Sequence, residues 1–472
     1  MLKNIFKYES KLLLRSRWIQ LLSIVLLLLF GFSANNGKRK ADNRAEIINT
    51  AINEVDESDA MMLSLLDSVS QGLEVSVPRW TIPTSPMAVG NYYPRVAAMK
   101  QTPFAFIATG QSDMYTAYVK PTVRGEDFAL NFTEMTSPVQ LLFGSFDLTF
   151  VIIYLLPLLI IAFSYNVLSS EKESGTLRLL ASQPIKIRQW LFQKLSIRFF
   201  WMSVLVVLSM IIIFLLLGID FVSHIKSFLT LIALVLVYML FWFSLAFLVN
   251  LLGSSSAKNA VSILGLWVVF VLLVPSILNQ AGNALYPIPS RTLLINEMRT
   301  KKADVSKKQD EILDNFLRDH PEYAINDSTQ ARSFWHRYMA SQKLVKEELE
   351  PIVNSYELQL QKQQDLVGNL KWISPSLTIQ ESLNKLAGSS ASDFEDFREQ
   401  VVVFAGNWRE HFMPFLYNNR EFTVEDYNNL PQFNWEPSFH SKWIPIAVLF
   451  LISTFFFGIG YMVSSNKKVM QL

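Results

Sequence analysis

Six apolar runs, at residues 18–33, 147–168, 198–218, 227–252, 260–279 and 443–464, constrain this chain more than any other feature. A helix needs about 20 mostly apolar residues to cross a bilayer. In hydrocarbon every backbone N–H and C=O must be paired inside the protein, so such runs become helices. Only 17% of the 472 residues are charged, against about 25% in a typical soluble domain, and these charges lie almost entirely between the runs. The expected fold class is an all-α integral membrane protein with six transmembrane helices.

Charge then orients the spans. Residues 1–17 read as an interfacial amphipathic helix, with Leu2, Ile5, Phe6, Leu12 and Leu13 on one face and Lys3, Lys7, Lys11 and Arg15 on the other. The link 169–197 carries Lys172, Arg178, Lys186, Arg188 and Lys194; the link 253–259 carries Lys258; the tail 465–472 carries Lys467 and Lys468. Short Lys/Arg-rich segments stay cytoplasmic. Both termini and both links are therefore expected inside, with 34–146, 219–226 and 280–442 outside.

The first large external segment, 34–146, opens with apolar residues at helical spacing (Ile47, Ala51, Val55, Met62, Leu66). It then breaks into Pro- and Gly-punctuated stretches, so a mixed domain is expected. The second, 280–442, reads as helical. Its first two helices, around Leu294–Leu317 and Trp335–Tyr356, are expected to form an antiparallel hairpin. Ser374-Pro375 starts a third helix that Gly388 ends, and Ser392 to Glu395 reads as a capping box for a fourth.

The catalytic signals are absent. There is no cysteine, no phosphate-binding Gly-rich loop followed by Lys, no Gly-x-Ser-x-Gly and no His-Glu-x-x-His. The five histidines lack ligand spacing, so no metal or cofactor site is expected. A net charge of +2 gives no reason to expect nucleic acid. Inside the runs the polar groups are Tyr154, Tyr165, Asn166, Tyr238, Ser244 and Asn250. They are candidates for a pathway or dimer interface, with ordinary helix packing as the simpler alternative.

The chain thus has no energy source of its own, yet presents a large charged link between its second and third spans. Gly175 is placed to turn that link, Thr176–Ser182 to form a short helix across the membrane surface, and Pro184 to end it. A solvated loop without a partner is the bland alternative.

The run from Ser170 through Glu171, Lys172, Glu173, Ser174, Gly175, Thr176, Leu177, Arg178 and Leu179 to Leu180, followed by Gln183-Pro184, resembles the cytoplasmic link of type-2 ABC exporter permeases. The resemblance extends to the group that includes the permeases of nitrous-oxide-reductase maturation and of gliding. Gly110 to Asp113, Ser374-Pro375 and Leu386 to Gly388 are similar to motifs of members with two large external segments. The resemblance implies that Glu171, Glu173, Gly175, Thr176, Leu177, Arg178, Leu180 and Pro184 form the coupling element for a separate ABC ATPase. ATP and Mg2+ would then be bound and hydrolysed by that partner, and this chain would not be an enzyme. It further implies a second permease, identical or related, an extracytoplasmic protein as a further partner, and a place in the inner membrane of a bacterium. Two functions follow as expectations: a permease subunit of an ATP-driven exporter, or an ABC-driven mechanotransmission or envelope-protein maturation complex in which nothing crosses. A membrane scaffold with no ATPase is a third.

Overall fold

The computed structural model describes residues 2–124, 145–177, 182, 186–220, 222–253, 255–288, 291–319, 334–437 and 443–466. The described chain is mostly helical. Among the described residues six helices are long and apolar enough to cross a membrane: the first part of α2 (Arg17–Ser70), α4 (Leu148–Glu173), α5 (Ile187–Leu216), α6 (Ile225–Leu252), α7 (Ser256–Leu285) and α14 (Trp443–Asn466). Their outward faces are apolar: Ile24, Leu28, Leu216, Val261, Ile277, Leu451 and Phe455 are all exposed. Such faces suit lipid rather than water. The chain has the build of a multi-pass membrane protein.

Helix α6 is the axis of the bundle. It is apolar on every side, and eighteen of its residues are buried, as expected of a helix surrounded by others. It packs most extensively on α14 and also touches α4, α5 and α7. A short amphipathic helix, α1 (Leu2–Arg15), lies against α5. We call this the α1 end of the bundle and the opposite end the head end.

Two spans contain a π-turn, Val151–Leu155 in α4 and Val268–Leu273 in α7. Each is followed closely by a proline, Pro157 and Pro275. Proline has no N–H and its ring crowds the carbonyl one turn back, so the helix widens and loses a donor. Hydroxyls from other elements replace it. Tyr238 on α6 donates to the Ile153 carbonyl at 3.1 Å. Ser374 and Ser376 each donate to the Phe270 carbonyl at 2.8 Å. Phe270 stands five residues before Pro275, the spacing of a π-turn hydrogen bond. Replacing Tyr238 by phenylalanine removes only the hydroxyl and keeps the ring. We expect a loss of about 1–3 kcal/mol from the unpaired buried carbonyl, read as a lower melting temperature of the detergent-purified protein.

Those serines begin α11 (Pro375–Ala387), whose start and stop follow the sequence. Ser374 caps it, accepting from the Leu377 N–H, and Gly388 ends it with φ 67°. That left-handed turn is open to glycine at little cost. Its location differs from expectation. Ile379, Leu383, Leu386 and Ala387 are buried in the same core as the spans, against α6, α14 and both π-turns. Within the expected external segment, α11 is therefore a wedge in the head end of the bundle.

The remaining head is one body. Helices α8 (Arg291–Lys307) and α9 (Gln309–Asp319) run antiparallel to α10 (Phe334–Leu370), with Lys301 paired to Glu348 at 3.0 Å and Gln363 bonded to the Tyr286 carbonyl at 2.6 Å. The expected hairpin is present. Helix α12 (Ala391–Tyr417), followed by the short α13 (Val424–Tyr427), carries Phe397, Val401, Phe404, Trp408 and Phe412 into a core shared with Met62 and Leu66 of α2 and with Met87 and Val89 of α3 (Pro86–Tyr92). The two large segments therefore share a core instead of folding apart. Strand structure in the first is limited, among the described residues, to Ala97–Ala98 (β1) paired with Tyr118–Val119 (β2). The α12 capping box is formed by Ser390 with Asp393, not by Ser392 with Glu395. The turn at Gly388 brings Ser390, two residues later, to the helix start first.

Candidate functional site at the exit of α4

The second apolar run does not end cleanly. Helix α4 unwinds over 165–168, re-forms as Ser169–Glu173 and turns at Gly175. Gly175 has φ 76°, where a Cβ would clash with its own backbone. Unwinding frees backbone groups, and two asparagines take them up. Asn250 of α6 accepts from the Leu168 N–H at 3.2 Å and donates to the carbonyls of Ser164 at 2.9 Å and Ala246 at 2.8 Å. Asn259 of α7 donates to the Tyr165 carbonyl at 3.1 Å.

Beyond the unwound stretch, two carboxylates fasten the link in two directions. Glu171 receives Lys194 of α5 at 3.0 Å and the Thr176 hydroxyl. Lys194 also faces Glu9 of α1 at 3.7 Å, and Arg198, one turn further along α5, donates to Glu9 at 2.9 Å and to the Phe163 carbonyl. Two cations and two carboxylates thus balance at a mostly buried site; Glu9 is fully buried. Buried charge is tolerated when paired and hydrogen-bonded in this way. Glu173 points the other way. It accepts from the Ser256 backbone N–H at 2.6 Å and from its hydroxyl at 2.8 Å, at the first turn of α7, where a negative charge meets unpaired N–H donors. Ser169 and Ser256 hydroxyls lie 2.9 Å apart.

Of the predicted coupling residues, Glu171, Glu173, Gly175, Thr176 and Leu177 come together in this link. Arg178, Leu180 and Pro184, and most of the short helix expected over Thr176–Ser182, lie outside the described residues. Of the predicted pathway residues, Tyr238, Ser244 and Asn250 are buried within the chain and bonded there. Tyr154, Tyr165 and Asn166 are half-buried. Glu9 was missed. Its signal was available: it is the sole acid among the first seventeen residues, on a helix of lysines and arginines, and Lys194 and Arg198 stand four apart at the mouth of an apolar run.

No metal-binding cluster occurs among the described residues. Burial pushes the imidazoles of His336 and His411 in the head below their usual range.

Residues 107–311 match the model of a family described as a protein of unknown function (DUF2705), and residues 291–436 that of a domain of unknown function (DUF3526). No curated protein and no solved structure matches the chain.

Proposed function

We propose that this chain is the membrane subunit of an ATP-driven ABC-2 type exporter, with the link after α4 as the surface that a separate ATPase pushes. One observation carries the reading: the exit of α4 is joined to α5 and α1 through Glu171 and to α7 through Glu173. A displacement of this link is delivered to three further helices at once, which a passive loop does not require. In this reading the α1 end faces the cytoplasm, the head lies outside the inner membrane, and a second permease completes the complex.

A second reading, mechanotransmission without passage, draws on the head end. There α11 fills the space between spans with apolar side chains, and along α6 the polar groups Tyr238, Ser244 and Asn250 are all engaged within the chain. The motor would then move the head.

Purification from native membranes in mild detergent, with mass-spectrometric identification of what accompanies the chain, tests the common core of both. An ABC ATPase at about one per chain is expected. Its absence, even with a non-hydrolysable nucleotide, sinks both. Glu173→Ala is expected to leave the spans folded and the ATPase bound while strongly reducing its stimulation, because α7 is no longer tied to the link. Unchanged stimulation would remove Glu173 from the coupling path.

A further inference from the structure

Between the head-end part of α2, the loop 99–120 and the turn after α11 lies a cavity of about 600 Å³. Its lining holds four cations, Lys40, Arg44, Lys100 and Lys120, and one carboxylate, Asp113. Asp113 is already engaged: Lys40 reaches it at 2.5 Å and the Ser145 hydroxyl at 3.0 Å. Lys120 pairs with Glu54 at 2.7 Å. Arg44 is held in place by the carbonyls of Ser112 and Thr116 and lies 5.4 Å from the Phe394 ring centre. Among the described residues no carboxylate lies within ion-pair distance of Arg44, which feels the Asp113 charge from further off, or of the exposed Lys100. The rest of the wall is largely apolar, with the Tyr115 and Phe394 rings 5.1 Å apart.

Depth adds a constraint. Lys38 donates to the Leu217 carbonyl at the head end of α5. Arg44 stands six residues further along α2, about 9 Å at 1.5 Å per residue. The headgroup layer occupies roughly 5–8 Å beyond each face of the hydrocarbon, so the cations border it. We propose that this cavity binds an anionic amphiphile, its phosphate or carboxylate head on Arg44 and Lys100 and its apolar body against Tyr115 and Phe394. The site requires neither an ATPase nor transport, so it stands apart from the function proposed above.

The test uses the full chain in phosphatidylcholine nanodiscs and follows the rate at which an amine-modifying reagent labels Lys100, with Lys362 as reference. Phosphatidylglycerol in the disc, or hexyl phosphate in solution, is expected to slow Lys100 labelling at least fivefold, leaving Lys362 unchanged. Protection by phosphatidylglycerol alone makes the ligand a lipid of the bilayer; protection by hexyl phosphate alone makes it a free amphiphile. Arg44→Gln is expected to abolish protection, and Tyr115→Ala, which removes part of the wall that the apolar body packs on, to weaken it if Arg44→Gln does not fold. No protection by either probe, equal protection by inorganic phosphate, or protection unaffected by the variant would overturn the proposal.

Discussion

Replacing Trp408 with alanine is expected to destabilise the head by about 3–5 kcal/mol, the usual cost of emptying a large buried aromatic site. The indole is fully buried, packs edge-on against Phe412 at 5.2 Å and donates to the Gly90 carbonyl at 3.0 Å. It thus joins α12 to α3, from two segments far apart in sequence. Its loss should loosen both together. Limited proteolysis is the measurement: cleavage within 72–124 and within α12 should appear at the same denaturant concentration, well below that for the parent protein. Trp408→Phe should show a smaller shift, since it keeps most of the apolar contact and loses the hydrogen bond. Independent loss of the two segments would contradict the shared core.

The second large effect is expected at Glu9. Alanine there leaves Arg198 and Lys194 facing one carboxylate, Glu171, instead of two. Removing one member of a buried ion pair costs about 3–5 kcal/mol. The lower end applies here, because Arg198 keeps the Phe163 carbonyl and Lys194 keeps Glu171. A melting curve in detergent measures the loss. The double variant Glu9→Ala with Arg198→Met should recover much of it, since no buried charge is then stranded; a purely additive loss would show that the pairing is not what stabilises the site.

The spans were readable because each rests on a composition that leaves few alternatives: about 20 apolar residues without charge. The ends of α11 were readable for a local reason, since Ser-Pro and Gly act within one turn. Its position was not. Ile379, Leu383 and Leu386 form the stripe of any amphipathic helix, and nothing near them specifies water or lipid on the other side. What directs that stripe to the spans is long-range: the core that they offer it, and a bond between Ser374 and a carbonyl that Pro275 frees, about 100 residues away. The choice between Ser390 and Ser392 as cap was likewise undecidable from spacing, as both precede an acid by three. At the α4 exit, Glu171 and Glu173 were singled out only through the resemblance of the link to that of exporter permeases. Their opposite engagements depend on the approach of α5 and α7, which no local pattern encodes.

Helix α2 is continuous from Arg17 to Ser70, whereas the apolar run ends near Ser33. The remaining 37 residues (70 − 33) extend about 55 Å at 1.5 Å per residue. An uninterrupted rod of that length is a lever whose short arm lies against the bundle and whose long arm is built into the head through Asp59, Met62 and Leu66. A tilt of about 5° at its foot sweeps the far end by roughly 5 Å, given that length. Small angular changes among the spans therefore arrive at the head as displacements as large as a side chain.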